Sequence, residues 1–448
     1  MTPEDLKKEI LAKTAEYYRL VHQAKQQEQF VPGKSRVNYA GRVFDESEMR
    51  NLVDASLEFW LTYGHWSHDF EKGLAAYLGV RFALLVNSGS SANLLAFMTL
   101  TSPLLGERQV KRGDEVITVA AGFPTTIAPI VQYGAVPVFV DVELGTANID
   151  ASQLEAAWSP KTKAVMLAHT LGNPFNIGAV KVFCEKHGLW LVEDNCDALG
   201  SKYAERFTGT WGDIGTSSFY PPHHMTMGEG GAVYTDNPLL RKIALSIRDW
   251  GRDCWCESGV DNTCGCRFTK QFGTLPLGYD HKYVYSHFGY NLKATDLQAA
   301  VGCAQLEKFP SFVEARKGNF ARLYEGLKDV PQLRLFEKYD ESDPSWFGFL
   351  MTVKPDAGFT RNDLAKNLEA ANIQTRNLFA GNIIRHPCFE AMREGIDYRV
   401  VGSLANTDTI MNSSLWIGLY PGMGDVKIDY MIKTIRDFCL AQNGKIRN

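Results

Sequence analysis

From about residue 80 to residue 250 the chain alternates short apolar runs with longer stretches of helical periodicity. No other feature restricts the fold as much. Strand candidates are 82–86, 115–119, 137–141, 164–168, 189–193, 216–220 and 231–234. Helix candidates between them are 91–100, 126–133, 179–187 and 239–249. Strands joined through helices make crossovers rather than hairpins, so the expected class is α/β: a mostly parallel sheet with helices on both faces. A chain of 448 residues is too long for one small core. The reading divides it into an N-terminal helical segment (1–50), a large cofactor-binding domain (51–310) and a smaller C-terminal α+β domain (311–448). A helix at 294–306 closes the large domain. The smaller one carries a strand at 347–353 and helices at 361–370 and 430–442. The segment 251–285 has no clear period and is rich in Cys, Gly and aromatics. A long irregular loop inside a compact domain is usually functional.

A net charge of −4 with basic residues scattered along the chain gives no electrostatic footprint for nucleic acid. No apolar run reaches the roughly 18 residues that span a bilayer. The stretch 1–29 is rich in Lys, Glu and Gln and lacks the apolar core of a signal peptide. The expectation is a cytoplasmic protein without membrane or nucleic-acid partners, its nine cysteines reduced.

Four strand ends carry candidate ligand-binding groups. Asn87-Ser88-Gly89-Ser90-Ser91 follows a strand and opens a helix. Free N–H groups and the positive helix end favour a phosphate there, and the same residues also make an ordinary serine cap. Trp190-Leu191-Val192-Glu193-Asp194 is an apolar strand ending in two carboxylates. Asp194 is placed to pair with a protonated pyridine nitrogen, as in pyridoxal phosphate (PLP) or pyridoxamine phosphate (PMP). Phe123, after another strand, is placed to stack on such a ring or to pack in the core. Ser218-Phe219-Tyr220-Pro221-Pro222-His223-His224 leads into Gly228-Glu229-Gly230-Gly231. Its histidine at 223 takes and gives a proton near neutral pH.

Together these segments, with Pro137-Val138-Phe139-Val140-Asp141 and Gly289-Tyr290-Asn291, resemble the sugar aminotransferases called DegT/DnrJ/EryC1/StrS, from about residue 51 onward. The resemblance implies a fold-type I PLP-dependent architecture and a homodimer. It implies Asp194 on the pyridine nitrogen, Phe123 on the ring, and Gly89, Ser90, Ser91 and Ser218 near the phosphate. It implies that Asn291 reaches the neighbouring subunit's phosphate. Two positions depart from the family pattern: His223 stands where members carry the Schiff-base lysine, and Tyr220 where many carry histidine. Histidine forms no imine with PLP, so the cofactor is expected as non-covalent PMP.

Four of the nine cysteines, Cys254, Cys256, Cys264 and Cys266, fall within thirteen residues. Clustered thiolates hold zinc or an iron–sulfur centre, and the C-x-C spacing suits the usual zinc pairing poorly. Buried, unliganded thiols describe Cys184, Cys303, Cys388 and Cys439. The spacing of Cys196, Cys254, Cys256 and Cys264, with histidine at 223, resembles the CDP-4-keto-6-deoxyglucose 3-dehydrase branch of the family. That branch implies those four cysteines as [2Fe–2S] ligands, with the place of Cys266 left open. It also implies a reaction. PMP condenses with a 4-keto-6-deoxyhexose nucleotide, His223 removes a proton from the cofactor methylene, the 3-hydroxyl leaves, and two electrons reduce the 3-carbon. No G-x-G-x-x-G follows a strand, so electrons are expected from a separate NAD(P)H-dependent flavin and iron–sulfur reductase. Candidate substrate contacts are Tyr220, Phe347, Arg376 and Asn382, with Arg385 beside them. The competing readings are a redox-independent PMP-dependent dehydratase or deaminase, and an inactive metal-binding scaffold on a PLP fold.

Overall fold

The strands run β1 (Phe82–Val86), β2 (Glu115–Val119), β3 (Val136–Val140), β4 (Thr162–Ala168), β5 (Trp190–Asp194), β6 (Lys202–Tyr203), β7 (Arg206–Phe207), β8 (Ile214–Ser218) and β9 (Gly231–Thr235) through the first half of the computed structural model. Beyond them come β10 (Leu333–Leu335), β11 (Ser342–Asp343), β12 (Gly348–Val353), β13 (Thr375–Arg376), β14 (Arg399–Val400) and β15 (Ser414–Gly418). The structure describes residues 1–257 and 259–443.

The central sheet has the order β1-β9-β8-β5-β4-β2-β3-β14. From β8 to β14 every neighbouring pair is parallel; β9 runs antiparallel to both β8 and β1. The exception follows from the connection: no helix separates β8 from β9, so the chain folds straight back on itself. Every residue of β2, β5, β8 and β9 is buried, as a sheet covered on both faces requires. One face packs Leu95, Phe97, Trp190 and Ile243. The smaller four-stranded antiparallel sheet, β10-β12-β15-β13, packs Phe349, Leu415 and Ile417 into the cluster on the other face.

Several boundaries move, with consequences for the site. The strand expected at 189–193 is β5, ending on Asp194, and the one expected at 216–220 is β8, ending on Ser218. Phe219 and Tyr220 therefore lie beyond the sheet. The helix expected at 294–306 is Asp296–Leu327, 32 residues long. A reciprocal Thr295–Gln298 capping box starts it. It continues through Pro310, which cannot donate to the preceding turn, because Phe309, Phe312, Val313, Leu323 and Leu327 bury a continuous stripe. The expected division at 310 thus falls inside this helix. β14 comes from the C-terminal third of the chain yet extends the large sheet at β3. Among the described residues no helix is long and apolar enough to cross a membrane.

Candidate active site

The C-terminal ends of β4, β5 and β8 and the helix starts at Gly89 and Pro124 border a cavity of about 720 Å³, closed on its other side by Phe347, Arg376, Asn377 and Trp416. Ligands of open α/β sheets occupy this edge. At its floor Asp194 is nearly fully buried. Its Oδ2 accepts hydrogen bonds from Asn93 Nδ2 and Thr126 Oγ1, both at 2.7 Å, and its Oδ1 accepts the Cys196 N–H at 3.2 Å. Thr216 Oγ1 donates to Asn93 Oδ1 at 2.7 Å and fixes which way that amide faces. Three donors from three elements hold one carboxylate still, which suits it to a cationic ring nitrogen.

Ser88 caps the helix Gly89–Leu100 by accepting the Ser91 N–H, and Ser88, Gly89 and Ser90 line the cavity. Ser91 does not line it; its hydroxyl accepts a hydrogen bond from Ser88 Oγ. A Cβ on Gly89 would lie 2.4 Å from Ser218 Cβ and 3.1 Å from Cys196 Sγ, so the end of β8 closes on this helix start only because position 89 has no side chain. Phe123 is half-exposed at the start of the helix Pro124–Tyr133 and presents its ring to the cavity and to Phe379.

His223 stands on the wall between Tyr220 and Phe347, both edge-on to its ring at centroid distances of 6.1 and 5.3 Å. Its backbone N–H donates to Tyr220 O, and its carbonyl accepts from the buried guanidinium of Arg316 at 3.2 Å. Arg316 also donates to the carbonyls of Trp346 and Phe347. Nδ1 of His223 is buried without a hydrogen-bond partner, and Nε2 lies 3.7 Å from Asp197 Oδ1. Burial lowers the imidazole pKa to about 4, against the upward pull of Ser218 and Asp194. The ring is therefore neutral at pH 7 and ready to accept a proton. Burial and the neighbouring Asp194 raise Asp197 to about 8, so its carboxyl is mostly protonated there.

Asn93, Thr126 and Asp197 were not singled out by sequence reasoning. The one signal was spacing: Asp197 follows Asp194 by three residues at a strand end. Of the expected substrate contacts, Tyr220, Phe347 and Arg376 line the cavity. Asn382 and Arg385 do not. Asn382 is buried as a helix cap donating to Asp408 Oδ1, and Arg385 is paired with Asp408 Oδ2 at 2.7 Å. Asn291 lies outside this cavity, its amide oxygen accepting from Lys293 Nζ.

The cysteines divide. Cys254, Cys256 and Cys264 bring their Sγ atoms within 4.8 Å of one another, while Cys196 lines the cofactor cavity and is not in that group. Standing two residues past Asp194, Cys196 follows the end of β5 and not the loop. Burial, with Asp194 beside it, pushes its thiol well above the usual range. Cys256 differs: burial pushes it up, but hydrogen bonds from Thr263, the Cys264 backbone and the neighbouring thiols bring it down to about 7. Burial raises Cys254 to about 11. Cys184 and Cys439 are buried as expected; Cys303 is only half-buried and Cys388 is exposed, which corrects the expectation for those two.

These residues fit a PLP-type cofactor: the anchored Asp194 carboxylate, the helix start that admits no Cβ, and the unpartnered His223 Nδ1 all face one cavity. Of the four thiols expected to hold an iron–sulfur cluster, Cys254, Cys256 and Cys264 gather and Cys196 lines the cavity.

Comparison with known proteins agrees with this geometry. The profile of the DegT/DnrJ/EryC1/StrS aminotransferase family matches residues 43–436. The chain is 54% identical over 439 residues to the lipopolysaccharide biosynthesis protein RfbH of Salmonella typhimurium, covering 98% of this chain and 99% of the relative. It is 53% identical over 434 residues to a dTDP-4-dehydro-2,6-dideoxy-D-glucose 3-dehydratase of Saccharopolyspora spinosa, covering 97% and 92%. Among solved structures, the GDP-4-keto-6-deoxy-D-mannose-3-dehydratase of E. coli with bound hydrated PLP superposes with a TM-score of 0.79. It is 28% identical, with 89% of this chain and 99% of that one covered. The fold is that of PLP-dependent aminotransferases.

Proposed function

The chain belongs to the DegT/DnrJ/EryC1/StrS aminotransferase family, and from that premise we propose that it is a nucleotide-sugar 3-dehydratase that uses non-covalent PMP. The observation that carries this reading is the cavity wall. Among the described residues that line it there is no lysine, and His223 stands beside the anchored Asp194 in the aminotransferase pocket. Relatives whose names carry 3-dehydratase activity support it.

PMP, when bound, supplies an amine for the 4-keto group and an electron sink for breaking the 3-hydroxyl bond. The protein does the rest. Asp194, held by Asn93 and Thr126, keeps the ring nitrogen protonated and fixes the ring plane. Gly89, Ser90 and Ser218 hold the phosphate, and Phe123 covers the ring. His223, neutral and with Nδ1 unpartnered, takes a proton from the cofactor methylene. The imidazolium so formed gives that proton to the departing 3-hydroxyl, which leaves as water. Phe347 and Tyr220 flank the imidazole and keep bulk water from it. Arg376 is a cation at the cavity edge for the nucleotide diphosphate.

The finer reading is a CDP-4-keto-6-deoxyhexose substrate, two-electron reduction at carbon 3, a [2Fe–2S] cluster, an external NAD(P)H-dependent reductase and a homodimer in which Asn291 serves the neighbouring site. The gathered thiols of Cys254, Cys256 and Cys264 support the cluster. The second reading is dehydration without redox input. The test is to load the purified protein with PMP and supply the CDP-, dTDP- and GDP-linked 4-keto-6-deoxyhexoses, with and without a chemical reductant. Loss of the 3-hydroxyl, read by mass spectrometry, is expected with at least one. Product that needs reductant, from protein containing iron and sulfide, supports the finer reading; product without it supports the second. No loss of the 3-hydroxyl from any of the three overturns the proposal.

A further inference from the structure

We propose that the N-terminal segment completes the substrate site: Tyr39 is a positioning residue that holds the Arg376 guanidinium at the cavity edge for the diphosphate of the nucleotide. The inference rests on the nucleotide-sugar reading above. Both side chains line the cavity. The guanidinium carbon lies 4.1 Å from the centroid of the Tyr39 ring, well inside the roughly 6 Å over which an aromatic face attracts a cation. Arg376 Nη1 donates to the Thr375 carbonyl at 2.7 Å. Among the described residues no other N–H of this guanidinium has a hydrogen-bond partner, and no carboxylate pairs with it. Arg385, by contrast, is neutralised by Asp408. A free guanidinium whose plane is fixed by stacking meets two phosphate oxygens side by side. Stacking also orders a long side chain in advance, which removes that cost from binding.

Backbone bonds deliver Tyr39 to this place. Val37 N–H donates to Asn372 O at 2.8 Å, and Gln374 N–H donates to Val37 O at 2.9 Å. The segment therefore runs parallel to the stretch that leads into Arg376, bridged to it at Val37 and Ile373. The Tyr39 N–H then donates to Gln374 Oε1 at 3.2 Å. A Cβ on Gly418 would lie 2.2 Å from the Tyr39 carbonyl oxygen, so β15 admits the segment only because position 418 has no side chain. Trp416 meets the Tyr39 ring edge-on at 5.6 Å, and its Nε1 donates to Asn377 O at 3.0 Å. The Tyr39 hydroxyl has no hydrogen-bond partner among the described residues, so the ring face is what serves Arg376. The family match begins at residue 43, so this tyrosine comes from a segment that the family profile does not include.

Binding of CDP, dTDP and GDP to the full-length, PMP-loaded protein, read by titration calorimetry up to millimolar nucleotide, tests the role. At least one should bind the parent. Arg376→Ala should weaken that nucleotide at least tenfold, as loss of a charged hydrogen-bond donor does. Tyr39→Ala should weaken it about fivefold, and Tyr39→Phe should stay within about twofold of the parent. Tyr39→Leu keeps bulk at the cavity edge without a π face. It should match Tyr39→Ala, and it decides the matter if that variant does not fold. Adding Tyr39→Leu to Arg376→Ala should cost less than about twofold more, because a residue that acts through Arg376 has nothing left to position. PMP affinity should be parental in Tyr39→Leu, which a collapsed cavity wall would not allow. Parent-like nucleotide binding by Tyr39→Leu, an undiminished further loss in the double variant, a parallel loss of PMP, or no nucleotide bound by the parent would each overturn the role. No sugar is present and no turnover is read. Protein that binds nucleotide in this pattern yet removes no 3-hydroxyl sinks the dehydratase reading alone, and the opposite pattern sinks only the role of Tyr39.

Discussion

The cofactor cavity and the cysteine loop hold their reactive groups by different means. In the cavity, Asp194, Ser218 and Cys196 stand at or just past the ends of fully buried strands, and the side chains that hold the Asp194 carboxylate come from helices packed on the same sheet. Shifting any of them requires the sheet core to move. In the loop, His281, Cys264 and Cys266 are held by an Arg267–Asp280 pair, an Asp253 carboxylate and turns. The cavity is as stable as the fold, whereas the loop is as stable as its local bonds and whatever it binds. Substitutions in the first should cost catalysis and folding together. In the second they should cost ligand binding while the fold survives.

The largest effect is expected at His223. His223→Asn should lower turnover by about a thousandfold, within the usual range for loss of a general acid–base group. His223→Lys should attach PLP covalently, visible by absorbance and by trapping with borohydride, and abolish 3-dehydration. Near-parental dehydration by either variant would break the assignment. Next, Asn93→Ala removes one donor from the buried Asp194 carboxylate, at a cost of about 1.5–3 kcal/mol for a bond to a charged group. Equilibrium dialysis should show PMP binding weakened by about ten- to a hundredfold.

A smaller effect follows from the lowered pKa of His223. Unfolded, the imidazole titrates near 6.5; folded, near 4. The unfolded chain therefore takes up a proton first as pH falls, and the stability from burying a neutral ring, complete above 6.5, is lost on the way down to about 4. His223→Asn lacks this term. In the cofactor-free protein it should gain on the parent by about 2 kcal/mol between pH 7 and 4.5 in urea unfolding. A constant difference across that range would contradict the burial argument. Smallest of all, Cys254→Ser with Cys256→Ser should change the urea midpoint by less than about 0.5 kcal/mol equivalent while altering bound metal. A large loss of stability would erase the contrast between the two regions.

The same contrast governs what could be read from the sequence. The alternation from 80 to 250 located the strands because buried parallel strands are continuous apolar runs, and Asp194, Phe123 and Ser90 were visible as polar or aromatic residues at strand ends. Asn93 and Thr126 were not, because a polar residue in a helix looks ordinary until a carboxylate from another strand is seen to meet it. β14 was invisible for a related reason: its two residues pair with β3 from 261 positions away. The ties of Asn382 and Arg385 to Asp408 were invisible in the sequence because they span 26 and 23 positions.

Arg316 has a practical consequence for anyone dissecting this protein. It lies six residues past the expected division at 310, in the unbroken helix Asp296–Leu327, and donates to carbonyls of His223, Trp346 and Phe347. A fragment ending at 310 would strip the His223 backbone of that donor and lay bare the stripe beginning at Phe309. Expression of the two halves as separate pieces should yield aggregated material.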